Sequence, residues 1–154
     1  MASLFARCGY DVLVQYGANQ PQYDLVAEKD GVFLPISVKG SQDGGWILAL
    51  KYKKPERTYH DAIDKWLKNQ RKDLVYVLVQ YQGVELNEPP RTYVATPKEI
   101  ALVLKNQNHG TGRTALQEDY LRDHPRSKLD DRIPDSWRFS EKRLATLVSE
   151  RKAR

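Results

Sequence analysis

The chain has 154 residues but only one cysteine and three histidines, and that scarcity removes several chemistries at once. Cys8 alone closes no intramolecular disulfide and builds no thiolate zinc cage, and His60, His109 and His124 lie far apart in sequence, so no structural zinc is expected. A thiol nucleophile built from Cys8 and a distant histidine stands against a plainer role, because a lone cysteine on a helical apolar stripe packs as core. Long apolar runs are missing too. Nothing approaches the roughly 18 to 20 residues that span a bilayer, and residues 1–7 lack the charged-then-apolar layout of a signal peptide. The expectation is a soluble, intracellular, cytoplasmic protein with no membrane partner. No GxxxxGK[ST], GxSxG or HExxH occurs, so P-loop nucleotide hydrolysis and triad hydrolysis lose their usual footing. No repeat, heptad array or low-complexity tract is visible.

What is present suits one folded unit, residues 1–154. Hydrophobic residues make up 40% of the chain and charged ones 29%, enough apolar material for a core and too much for wholesale disorder. The net charge of +5 is unevenly spread. Residues 1–50 hold three basic side chains against five acidic ones, whereas the other 104 residues carry 22 against 15. An acidic-leaning first third on a basic remainder fits a polyanion binder with a metal-assisted site, and equally fits ordinary surface variation.

Leu4, Phe5 and Cys8 followed by Gly9 read as the last turns of a helix with a glycine stop, and residues 10–15 as a short strand. The strongest signal is a hairpin. Two apolar-rich runs, 23–28 and 33–39, flank Asp30-Gly31, which favours a type I′ turn with Lys29 facing Val32 and paired residue numbers summing to 61. This register sets Asp24 opposite Ser37 with Lys39 diagonal to it on one face, and puts Tyr23, Leu25, Ala27, Leu34, Ile36 and Val38 on the other. Pro35 predicts a bulge or an edge there, and a bulge would shift the register by one. Residues 40–45 read as a flexible loop and 46–50 as a third strand. Thr58 and Asp61 form a capping box for a helix carrying Tyr59, Ala62, Ile63, Trp66 and Leu67 on one stripe. Residues 74–82 fit a central strand and 91–95 its neighbour. Thr96-Pro97-Lys98-Glu99 opens another helix, residues 108–135 are polar and irregular, and Ser140 caps a final helix bearing Leu144, Leu147 and Val148. The order describes a mixed α/β sheet of four to five strands flanked by helices, with an irregular tail and a last helix.

Asp24, Ser37 and Lys39 on adjacent strands are the constellation with chemical content. A carboxylate supplies a hard oxygen to Mg²⁺, which keeps most of its waters. A neighbouring ammonium orients a water or stabilises charge developing on a phosphate. The segments Gly9-Tyr10-Asp11-Val12, Tyr23-Asp24-Leu25-Val26-Ala27-Glu28 and Ile36-Ser37-Val38-Lys39-Gly40-Ser41 resemble the core of the PD-(D/E)XK nuclease superfamily, which includes archaeal Holliday junction resolvases and many restriction enzymes. With the Ile133-Pro134-x-x-Trp137 segment, the chain looks closest to intron-associated homing endonucleases of this fold. The resemblance implies a restriction-endonuclease-like fold and a Mg²⁺-dependent DNA endonuclease, with Mn²⁺ as substitute, acting on double-stranded or branched DNA as a homodimer or higher homo-oligomer. It makes Asp24 the main metal ligand, the Val38 carbonyl a second ligand and Lys39 the residue that positions the attacking water. Ser37 stands where the family most often has Glu. The family's acid on the first helix has no counterpart before Asp11, so either the chain begins downstream of it or this copy is weakened. Glu28, four residues along the strand and roughly 13 Å from Asp24, is too far to replace Ser37. Asp43, in the following loop, is the better substitute.

Plainer readings stand beside these. Asp24 and Lys39 can be a partly buried ion pair without catalysis, in a DNA-binding or assembly module that kept the fold and lost the chemistry. Lys51, Lys53, Lys54 and Arg57, interleaved with Tyr52 and Tyr59, either track a phosphate backbone or form a solvated face; Lys65 and Lys68 on the next helix and Arg113 after Gly110-Thr111-Gly112 extend the candidate DNA contacts. Arg122, Arg126, Lys128, Arg132 and Arg138 form a second basic stretch, in which Trp137 reads as a tail anchor before a base-stacking group.

Overall fold

Asp30 and Gly31 take φ of 53° and 76°, the left-handed pair that a type I′ turn demands and that matches the twist of the strands it joins. The computed structural model describes residues 1–16, 22–118 and 132–153. From this turn β2 (Leu25–Lys29) and β3 (Val32–Ser41) pair antiparallel as Lys29↔Val32 through Leu25↔Ile36, the register expected from the sequence. Pro35 causes no bulge. It lies opposite Val26, and counting from the two-residue turn that pair is a non-hydrogen-bonded one, so the proline nitrogen faces away from β2. On its other side, pairing begins only at Ile36. An interior strand therefore accepts proline where neither neighbour needs its N–H.

The ladder runs β1-β2-β3-β5-β6, with β1 (Asp11–Val14), β5 (Val75–Gln80) and β6 (Arg91–Ala95). Only β3 and β5 are parallel, in the register Ile36↔Val75 to Ser41↔Gln80. This is a mixed five-stranded sheet flanked by helices. α1 (Ala2–Arg7) and α4 (Glu141–Lys152) cover one face, where Phe5, Leu25, Ile36, Val77, Leu144 and Leu147 are buried. α2 (Tyr59–Lys68) and α3 (Pro97–Asn106) cover the other, over Trp66, Tyr76, Leu78, Tyr93, Ile100 and Leu104. Both halves of the capping box are formed at Thr58/Asp61 and at Thr96/Glu99, and the hydrogen bonds from Thr58 hold the Asp61 carboxyl below the usual range.

Three expectations are corrected. Residues 40–45 are not one flexible loop: Gly40 and Ser41 finish β3 and Gly45 starts β4 (Gly45–Ile47). β4 does not join the main sheet but pairs with β7 (Ala115–Gln117), a strand inside the stretch read as irregular, and Leu50–Tyr52 form a 3-10 turn. Leu116 is fully buried, so this small sheet seals the α2/α3 face. Tyr23 packs on that face as well, not on the α1/α4 face, because the β2–β3 ladder stops at Leu25. Trp137 is 3% exposed in the same core, the anchor role expected of it.

Candidate active site

The hairpin ends where Asp24 begins. The Asp24 N–H donates to the Ile36 carbonyl at 2.8 Å and its own carbonyl accepts from Gln15 at 2.9 Å, so Asp24 is tied into both flanking strands but not opposite Ser37 as the extrapolated register had it. Its side chain takes over the missing rung. Oδ2 accepts the Val38 N–H at 2.6 Å. Oδ1 takes no hydrogen bond among the described residues, and no ion pair joins Asp24 to Lys39 there. The carboxylate is thus fixed by the backbone and left with one open oxygen.

Alternation along β3 turns Ser37, Lys39 and Ser41 to the α2/α3 face. The Lys39 side chain is exposed, and its backbone carbonyl accepts the Trp46 indole N–H at 2.9 Å, which anchors the strand beneath it. Ser37 is 4% exposed and its hydroxyl has no hydrogen-bond partner among the described residues. Asp43 does not swing toward Asp24. Its Oδ1 accepts from the Ser41 hydroxyl at 2.9 Å and it builds the 42–44 turn. Glu28 is likewise committed, accepting the Gly31 N–H at 2.6 Å. Among the described residues no three His, Cys, Asp or Glu side chains gather where they would hold a metal ion, and the one printed contact between expected metal ligands is the Val38 N–H to Asp24 Oδ2.

Sequence reading missed Tyr76. The parallel register makes it the neighbour of Ser37 on β5, with 5% exposure, and its hydroxyl donates to Gln70 Oε1 at 2.8 Å. Gln70 Nε2 in turn donates to the Trp66 carbonyl at 2.9 Å, which fixes the amide's orientation. Burial, then the nearby Tyr52 and Asp24, push the Tyr76 phenol up to about 12. The signal that was there to read was the polar pair Tyr76 and Gln80, i and i+4 on one face of an otherwise apolar strand.

Tyr52, in the basic segment, packs against the same core as Tyr76. Lys51 lies over the Tyr52 ring at 4.9 Å and Lys53 over the Tyr59 ring at 5.2 Å, so both rings already carry a cation. Lys54 and Arg57 are exposed. Lys65 and Lys68 line an open groove of about 580 Å³ on α2 together with Arg57, but Asp61 and Asp64 share it. Asp64 is neutralised from α3 by Lys105 at 2.6 Å. Arg113 is half-buried, and its loop is packed rather than loose: Gly112, at φ 89°, sits against Tyr59, His60 and Ile63, and His60 Nε2 lies 2.8 Å from the Gly110 carbonyl. Arg138 lies over the Tyr93 ring at 5.8 Å, whereas Arg122, Arg126 and Lys128 fall outside the described residues.

No protein-family model and no curated protein sequence matches this chain. One solved structure does. It is a bacterial homing endonuclease, I-Ssp6803I, matched at a TM-score of 0.49 and 14% identity over 97% of this chain and 86% of that one. At that identity and superposition, neither residues nor activity are transferred from that protein to this chain.

Proposed function

We propose that this chain is a Mg²⁺-dependent endonuclease that hydrolyses phosphodiester bonds in double-stranded or branched DNA. The observation that carries the reading is the carboxylate of Asp24, fixed through Oδ2 by the N–H of Val38 and open at Oδ1, next to the strand whose following residue is an exposed Lys39 that is not spent on it. A structural ion pair would have brought the two side chains together. The donor set fits Mg²⁺, which needs only one or two carboxylates when phosphate oxygens and water complete its shell. Asp24 would hold the ion, with the Val38 carbonyl and Ser37 Oγ beside it, and Mn²⁺ would substitute. Bound there, the ion supplies positive charge to the phosphate and acidity to the attacking water. The Lys39 ammonium positions that water and stabilises charge growing on the phosphate. Lys51, Lys53, Lys54 and Arg57 grip the backbone beside the pocket, with Lys65, Lys68 and Arg113 further out along the same DNA. Two copies of the 1–154 unit, related by a twofold axis, would cut the two strands.

Supercoiled and branched DNA incubated with the protein and Mg²⁺ or Mn²⁺ test this reading. Wild type is expected to cleave, and Asp24→Asn and Lys39→Ala to lose at least about 100-fold, the usual scale for a group that acts on transition-state charge. Equal rates in all three proteins would sink it. The neutral Ser37 and the single free carboxylate oxygen favour a second reading, a DNA-binding module of the same fold without chemistry, in which DNA is retained and never cut.

A further inference from the structure

Resting on the metal-site reading above, we propose that Ser37 and Tyr76 hold the hydration shell of a divalent cation at Asp24, doing by hydrogen bonds what a second carboxylate would do by charge. Three oxygens meet the requirement. Asp24 Oδ1 is a free acceptor, since Oδ2 is committed to Val38. The Tyr76 proton is committed to Gln70 Oε1, and Gln70 cannot turn its amide round without losing the Trp66 carbonyl, so the phenol oxygen offers only lone pairs to the space before it. Ser37, the register neighbour of Tyr76, is 4% exposed, and its hydroxyl bonds no protein group among the described residues yet is not cut off from solvent, so it can exchange a hydrogen bond with water. Cation-bound waters are hydrogen-bond donors, and a set of acceptors with one negative charge suits a hydrated ion better than a stripped one.

Binding without DNA or turnover tests this. Mn²⁺ is titrated into the protein with free Mn²⁺ read by its paramagnetic resonance signal, and cobalt(III) hexammine is added as competitor, because its ligands do not exchange and can be held only through hydrogen bonds. Wild type is expected to bind both, with the hexammine displacing Mn²⁺. Tyr76→Phe and Ser37→Ala are each expected to weaken both cations about fivefold to tenfold, one hydrogen bond's worth. Ser37→Ala removes an unpartnered hydroxyl and should fold at least as well as wild type, so its loss of binding cannot be laid to unfolding. Mn²⁺ affinity within twofold of wild type in both variants, with binding lost in Asp24→Asn, would overturn this inference alone. Equal Mn²⁺ binding by wild type and Asp24→Asn would overturn the metal site itself.

Discussion

The Val38 N–H occupies one oxygen of Asp24 and leaves the other open, which makes Asp24→Asn a clean substitution: an amide oxygen accepts the same bond, and stability should shift by no more than about 1 kcal/mol while the charge is lost. Tyr76 gives a residue-level readout in pH. Its folded phenol titrates at about 12 against 10.0 unfolded, so the unfolded chain gives up its proton first. The stability it contributes is whole below pH 10 and is lost as pH rises toward 12. Denaturant unfolding across that window should show a shallower alkaline loss for Tyr76→Phe than for wild type, and identical slopes would contradict the assignment. The hairpin register down to Leu25 was legible because a two-residue turn fixes it locally, though it gave out one residue short of Asp24. Tyr76 was not, because its place beside Ser37 depends on a parallel pairing between strands almost forty residues apart, which no local pattern specifies.

Among the elements, those with local signals were read to within a residue or two: β6 over Arg91–Ala95, α2 and α3 behind their capping boxes, α4 behind Ser140. β7 was missed because a three-residue strand carries too little alternation, and β4 was found but drawn too long and without its partner, since the pairing is again long-range. Pro35 misled for a different reason: its missing N–H matters only on the side where a partner strand needs it. The last helix is held to the sheet by a polar clamp within an otherwise apolar seam. Arg143, 9% exposed, donates from Nε to the Val94 carbonyl at 3.0 Å and reaches both Glu99 oxygens at 2.7 Å. Glu99 also caps α3, so the clamp joins two helices and β6. Arg143→Ala should cost roughly 2 kcal/mol by denaturant unfolding. A loss below about 0.5 kcal/mol, less than one ordinary hydrogen bond contributes, would mean that the apolar seam of α4 alone holds it.

For the molecule as a whole, the acidic first third supplies Asp24, while the basic segment 51–57 packs through Tyr52 on the core that holds Tyr76. No helix among the described residues is long and apolar enough to cross a membrane. The fold class was legible in the order of elements, but the placement of residues 50–52 was not, since β7, its pairing with β4 and the 3-10 turn were unread. If Lys51, Lys53, Lys54 and Arg57 bind phosphates, DNA affinity falls steeply with salt, and replacing them with neutral residues flattens the log–log slope by about 0.9 for each phosphate left without its cation. An unchanged slope would remove that segment from the interface. The most direct test holds DNA binding constant and asks about chemistry alone: nicking of supercoiled DNA by wild type and Asp24→Asn, in Mg²⁺, at protein concentrations where a binding assay finds both fully bound. Cleavage by wild type and none above background by Asp24→Asn is the outcome expected of a metal-dependent nuclease centred on this carboxylate. Bound DNA that neither protein cuts, or that both cut at one rate, would contradict it.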